Sequence, residues 1–167
     1  MSPSESGMPF RGRAISLAVA GALLMAATFA AVAPAHAQRY SAETINTDRA
    51  VNGRHLRDAI TLGQSALERL QSPQAAEELA TTHKTIDRMY RTVRLALFGL
   101  REAKKRAKFD DALLDYELGR TGKAWDVIRG PVDRYFDSQP PEIYIAKSIR
   151  DLEEAIAILR PVAAVMQ

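Results

Sequence analysis

A group of arginines and lysines in the middle of the chain is the first feature whose chemistry suggests a function. Arg88, Arg91 and Arg94 are spaced three residues apart, and a denser group of cations follows them. The basic face, as we define it, consists of Arg88, Arg91, Arg94, Arg101, Lys104, Lys105 and Lys108. Clustered cations attract carboxylates, phosphates and sulfates. The basic face therefore predicts binding to an anionic membrane leaflet, a polyanionic glycan or an acidic protein.

The alternative interpretation of the basic face is an ordinary solvated surface. Four acidic residues follow the cations closely, namely Asp110, Asp111, Asp115 and Glu117. If they fold back, they neutralise the cations within the domain, and no external partner is needed. Nucleic acid is not an expected partner, because no aromatic residues that could stack on bases are interleaved with the cations.

Two histidines and one methionine suggest a second kind of site. In an antiparallel hairpin that turns near Ser72, residues at equal height have numbers that sum to about 144. This register places His55 level with Met89, which are residue types that ligate haem b within four-helix bundles. The height of His83 differs from that of His55 by about 9 Å at 1.5 Å per residue, so the two histidines are not expected to share a metal ion. The alternative is a buried, hydrogen-bonded His83 and an exposed His55.

Several other chemistries lack their sequence motifs. The chain has no cysteine, which excludes cysteine nucleophiles, cysteine-ligated zinc, iron–sulfur clusters and covalently attached haem. No Glu-x-x-His motif follows residue 37, and no Gly-x-Ser-x-Gly motif occurs. We therefore predict no catalytic residue and no metal site, and the sequence favours a non-enzymatic protein. Four aromatic residues lie close together in the second half of the chain, and they could either line a pocket or fill the core. They are Trp125, Tyr135, Phe136 and Tyr144.

The N-terminal residues have the order of a secretory signal peptide. Arg11 and Arg13 precede an apolar run over residues 14–32, and Ala35-His36-Ala37 supplies a small-x-small cleavage pattern. Cleavage near Ala37 would release residues 38–167 as a single domain in the periplasm or outside the cell. An uncleaved membrane anchor is the alternative. The net charge of +3 falls to +2 when Arg11, Arg13 and Glu5 are removed, so only local charge is informative.

Apolar spacing predicts the helices that position these residues. The first helix spans about Ser41 to Gln71, and its seven-residue period brings one set of residues to a common seam, namely Leu56, Ile60, Gly63, Leu67 and Leu70. A tight break at Gln71-Ser72-Pro73 starts the second helix. The seam of that second helix is Leu79, His83, Ile86, Tyr90, Val93, Leu97 and Leu100. These patterns predict an antiparallel helical hairpin.

The second half of the chain predicts two more helices. The third begins at Asp110-Asp111, because acidic residues suit a helix N-terminus; a second helix that continues into Leu118 is the alternative. Glycines at 119, 122 and 130 indicate a broken or irregular helix. The fourth follows Pro140-Pro141, and Pro161 should kink or end it near Leu159. We therefore predict an all-α, up-down four-helix bundle with an irregular third helix, after a signal peptide. The sequence leaves its oligomeric state open.

Overall fold

Four helices make up most of the described chain. The computed structural model describes residues 42–107, 110–134 and 139–166. The helices are α1 (Ala42–Leu70), α2 (Leu79–Arg106), α3 (Ala112–Arg129) and α4 (Pro141–Val165), and a π-helical turn (Gly130–Arg134) extends α3. The signal-peptide prediction lies outside the described residues, as do the predictions for Lys108, Tyr135 and Phe136.

The four helices pack in a closed ring. Each helix packs against the next one in sequence, and α4 returns to pack against α1. The all-α class and the four packed helices are thereby confirmed, and the order of contacts is consistent with an up-down bundle. No helix in the described ranges is long and apolar enough to span a membrane.

The buried seams keep the predicted seven-residue period but are rotated slightly from the predicted positions. Ile86, Val93, Leu97 and Leu100 are buried, as expected, but Met89 and Ala96 are fully buried as well, whereas the predicted Tyr90 is only partly buried. The buried residues of α2 are Thr82, Ile86, Met89, Val93, Ala96, Leu97, Leu100 and Ala103. On α1, likewise, Ala59 and Ala66 are fully buried, whereas Ile60 and Leu67 are half-buried. Buried alanines suit such seams because small side chains allow close approach of helices, and the larger, partly buried Ile60 and Leu67 pack against the same core.

The connection between α1 and α2 is longer than predicted. Residues 71–78 form consecutive turns, in which the backbone N–H of Ala75 donates to the Ser72 carbonyl at 3.2 Å and that of Glu78 donates to the Gln74 carbonyl at 3.0 Å. Ala75 is buried and anchors this segment. The predicted tight break at Ser72-Pro73 is therefore wrong. The later start of α2 shifts its register against α1 by several residues.

The start of α3 is confirmed, but the predicted interruption near Gly119 is wrong. The Asp111 carboxylate accepts hydrogen bonds from the backbone N–H groups of Leu113 and Leu114, both at 3.0 Å. This side-chain cap fixes the helix start. The α-helix then continues without interruption to Arg129. The irregular segment is the π-helical turn that contains Pro131, which has no N–H for a regular helical hydrogen bond.

The prolines of α4 have two different effects. Pro141 occupies the first turn, where the missing N–H costs nothing, and the helix starts there as predicted. Pro161 lies inside the helix, which continues to Val165. The predicted end near Leu159 is therefore wrong. Val162, Ala163 and Met166 are buried beyond the proline, and their packing holds the last turns in place.

Candidate anionic-partner site on α2

Some cations of the basic face are paired within the domain. Nη2 of Arg91 lies 2.8 Å from a carboxylate oxygen of Asp87, and Nζ of Lys105 lies 2.7 Å from one of Glu102. The hydrogen bond from Lys105 is the main cause of a lowered pKa at Glu102. Lys104 forms an ion pair with Asp115 of α3. These cations are therefore partly neutralised by carboxylates of the same domain.

Three arginines of the basic face keep their charge uncompensated. Arg88, Arg94 and Arg101 are exposed, and none of them forms an ion pair with any residue in the described ranges. At about 100° per residue, Arg88 and Arg94 differ by about 120° around the helix, whereas Arg94 and Arg101 share one side. The predicted single stripe of cations is therefore spread around the exposed half of α2.

Among the described residues, the acidic residues that follow α2 form an ion pair with one cation of the basic face. Asp115 pairs with Lys104, whereas Asp111 caps α3. Glu117 is fully buried and pairs with Arg49 of α1. Within the described ranges, the predicted internal neutralisation is therefore found at Lys104. Arg94 and Arg101 remain available to a partner from outside the domain.

Two large apolar side chains lie among the free arginines. Leu95 is 58% exposed and Phe98 is 64% exposed. The sequence analysis did not single them out, and neither falls on the predicted seam of α2. Exposed apolar side chains that adjoin cations are typical of interaction surfaces. The exposed side of α2 thus combines positive charge with an apolar surface.

A cleft of about 390 Å³ separates the exposed parts of α2 and α3. Its lining consists of Tyr90, Arg94, Leu97, Phe98, Arg101, Trp125 and Arg129. The rings of Tyr90 and Trp125 stack, with centroids 5.3 Å apart and planes inclined by 18°. We call this feature the α2–α3 cleft. It brings two free arginines of α2 beside an aromatic surface, and the sequence did not predict this combination.

The aromatic group suggested by the sequence does not form one pocket in the described structure. Trp125 stacks on α2, whereas Tyr144 is fully buried with its hydroxyl oxygen 3.1 Å from Nδ1 of His83. Burial raises the pKa of Tyr144 to about 12, and the Ser148 side chain partly opposes this shift. The hydrogen-bonded state predicted for His83 is confirmed, although its ring is only partly buried.

The structure does not place His55 level with Met89. The Sδ atom of Met89 lies 2.9 Å from the point that a Cβ on Gly63 would occupy. Gly63 lies eight residues beyond His55, or about 12 Å along the helix. The register that suggested an axial haem pair is therefore wrong, because the connection between α1 and α2 is longer than predicted. His55 is partly buried rather than exposed.

Within the described ranges, no three His, Asp or Glu side chains converge where they could hold a metal ion. Comparison of the chain with known protein families, curated proteins and solved structures gives no match. The fold and the site define an all-α helical domain with an exposed, partly unpaired basic face.

Proposed function

We propose that the protein is an exported, non-enzymatic binding or scaffold protein that engages an anionic surface or an acidic partner through the exposed side of α2. The observation that carries this proposal is the set of three arginines, at positions 88, 94 and 101, that lack ion pairs within the described ranges. We also propose that the described helices run up and down in a bundle. In that arrangement one side of α2 faces outward.

The combination of free arginines and exposed apolar side chains supports binding. An arginine without an internal partner can direct its planar guanidinium group to carboxylates or phosphates, often through two hydrogen bonds. Phe98 and Leu95 add apolar area that gains free energy when a partner covers it. Aromatic residues and arginines are also the residue types enriched where binding energy concentrates in interfaces.

A charge-reversal variant tests the proposal. Arg88, Arg94 and Arg101 are changed to Glu, and the matched control changes Arg54, Lys123 and Arg160, which are exposed cations on other helices. Binding to immobilised polyglutamate, to heparin and to vesicles of anionic or neutral lipid is measured at low and high salt. We expect the wild type and the control to bind at least one anionic probe at low salt. We expect the α2 variant to have lost this binding. Salt should weaken binding, because exposed charges are screened beyond about 10 Å at 0.1 M.

Two results would contradict the proposal. Wild-type protein that binds none of the anionic probes has no available basic face. Equal loss of binding in the α2 variant and in the control would mean that net charge, rather than the placement of the arginines, is responsible. Circular dichroism of all three proteins separates either result from unfolding.

Export is a separate part of the proposal with its own test. We propose a periplasmic or secreted protein, cleaved before Gln38, on the basis of Arg11, Arg13 and the Ala35-His36-Ala37 pattern. N-terminal sequencing of protein from its native host should give Gln38 as the first residue. A start at Met1 or retention in the membrane fraction would contradict export with cleavage.

A further inference from the structure

We infer that the α2–α3 cleft receives an acidic segment of a partner protein, with one apolar side chain of that segment against Phe98 and Trp125. This inference rests on the proposed function and narrows it from any anionic partner to one chemical class. It is carried by the lining of the cleft, which combines apolar and aromatic side chains with arginines from two different helices.

We call the less exposed apolar and aromatic residues of the cleft, Tyr90, Leu97 and Trp125, its floor. Leu97 is only 3% exposed, and its Cδ1 lies 3.9 Å from the position that a Cβ on Gly122 of α3 would occupy. The stacked rings of Tyr90 and Trp125 form a continuous aromatic surface, and the exposed ring of Phe98 forms one side. A partner that places an apolar side chain here covers Phe98 without rearranging the core.

The rim of the cleft is positively charged. Arg94 and Arg101 are seven residues apart on one side of α2, or about 10 Å along its axis. An extended peptide covers the same distance in about three residues at 3.3 Å each. Carboxylates three residues apart in an acidic segment therefore match the spacing of the two arginines. Arg129 of α3 completes the rim, and its Nε lies 3.2 Å from a carboxylate oxygen of Asp133.

Other occupants fit this cleft less well. A small ligand is usually covered over 70–90% of its surface, whereas Phe98 is 64% exposed and leaves the cleft open on one side. A flat bilayer meets the outer side of α2 but does not reach a floor that lies between two helices. Residues 1–41 of the chain itself carry three arginines and one glutamate, so their charge does not complement the rim.

The single tryptophan of the chain gives a direct test. Trp125 lines the cleft, and no other tryptophan contributes to the emission. The probe is a synthetic peptide of glutamates around one phenylalanine, titrated into the full-length protein while Trp125 emission is recorded. Two matched peptides serve as controls. In one, serine replaces the phenylalanine; in the other, glutamine replaces every glutamate. We expect a saturable change with the first peptide and at least about tenfold weaker binding of both matched peptides, because each lacks one half of the recognition.

Variants locate the binding on the protein. Arg94→Glu combined with Arg101→Glu should weaken the peptide at least about tenfold, because charge-assisted hydrogen bonds are replaced by repulsion. Phe98→Ser should weaken the peptide with phenylalanine but not the one with serine. The control pair Arg54→Glu and Arg160→Glu, which changes the net charge equally, should bind like wild type. Circular dichroism checks that each variant is folded.

The outcomes separate this inference from the proposed function. If polyglutamate or vesicles bind through the arginines of α2 while the peptide leaves Trp125 emission unchanged, the cleft assignment is overturned and the proposed function stands. If anionic vesicles change the emission and the peptide does not, the occupant is a membrane and the inference is wrong. If wild-type protein binds no anionic probe at all, both the inference and the proposed function fail.

Discussion

Arg49 of α1 and Glu117 of α3 form an ion pair across the bundle, between two helices that are not neighbours in sequence. Nε of Arg49 lies 3.1 Å from each carboxylate oxygen of Glu117, and Nη2 contacts Oε1. The Glu117 side chain is fully buried and that of Arg49 is 15% exposed. Burial raises the pKa of Glu117, and the hydrogen bond from Arg49 partly offsets this shift. The pair therefore joins the N-terminal half of α1 to α3.

Removing Arg49 should destabilise the domain more than removing both partners. Arg49→Ala leaves a buried carboxylate without its cation, which costs about 3–5 kcal/mol in comparable cases. The double variant Arg49→Met with Glu117→Met removes the buried charge as well and should lose less stability. Urea unfolding of wild type and Arg49→Ala measures the loss, and the cycle of Arg49→Met, Glu117→Met and their combination measures the coupling. A loss below about 1 kcal/mol for Arg49→Ala would contradict the role of the pair.

The raised pKa of Glu117 predicts the direction of a pH effect. A group whose pKa is higher in the folded state binds its proton more tightly there, so its contribution to stability is present at low pH and lost as pH rises. The loss should begin near the ordinary value of 4.5 and continue up to the raised pKa of the folded state. The unfolding free energy of wild type, relative to Glu117→Gln, should therefore fall as pH rises through this window. A relative increase would mean that Arg49 outweighs burial.

Two neighbouring positions of α2 distinguish the core from the surface. Leu97 is 3% exposed, whereas Arg94 is exposed and outside any ion pair with the described residues. Leu97→Asp places an unpaired charge in the core and should cost several kcal/mol. Arg94→Asp should change stability by no more than about 0.5 kcal/mol. Thermal unfolding of the two variants tests this contrast, and equal shifts would mean that Leu97 does not support the core.

The sequence predicted the helices better than the details of their packing. The period of large apolar residues located Ile86, Val93 and Leu100 in the core, because these residues repeat every seven positions. It missed Ala96 and Ala103, because alanine carries little hydrophobic signal although both residues are buried. The helix break expected near Gly119 is absent because a buried series continues on either side of it, including Glu117, Thr121 and Ala124.

The site was only partly predictable, because a sequence pattern does not show which residues meet in three dimensions. The cations of α2 are visible in the sequence, but their pairing depends on which acidic residues reach them in space. Asp115 reaches Lys104, whereas Glu117 pairs with Arg49, which lies 68 residues away in sequence. The α2–α3 cleft depends on the contact between Tyr90 and Trp125, and a pattern within one helix cannot predict that contact.

Two glycines in helices should respond to alanine in opposite directions. A Cβ on Gly53 of α1 would overlap the backbone carbonyl of Met166 and lie 2.8 Å from the Met166 Cβ. Met166 is 1% exposed, so it has little room to move. Gly53→Ala should therefore destabilise the domain by about 1–3 kcal/mol, as other overpacked sites do.

Gly119 of α3 is the matched control for Gly53. Nothing lies within 4 Å of the position that its Cβ would occupy, and glycine costs a helix interior about 1 kcal/mol relative to alanine. Gly119→Ala should therefore stabilise the domain by up to about 1 kcal/mol. Urea unfolding of both variants measures the contrast. A stabilising effect of Gly53→Ala would show that the last turn of the chain is not held against α1, since only a displaced Met166 could accommodate the added methyl group.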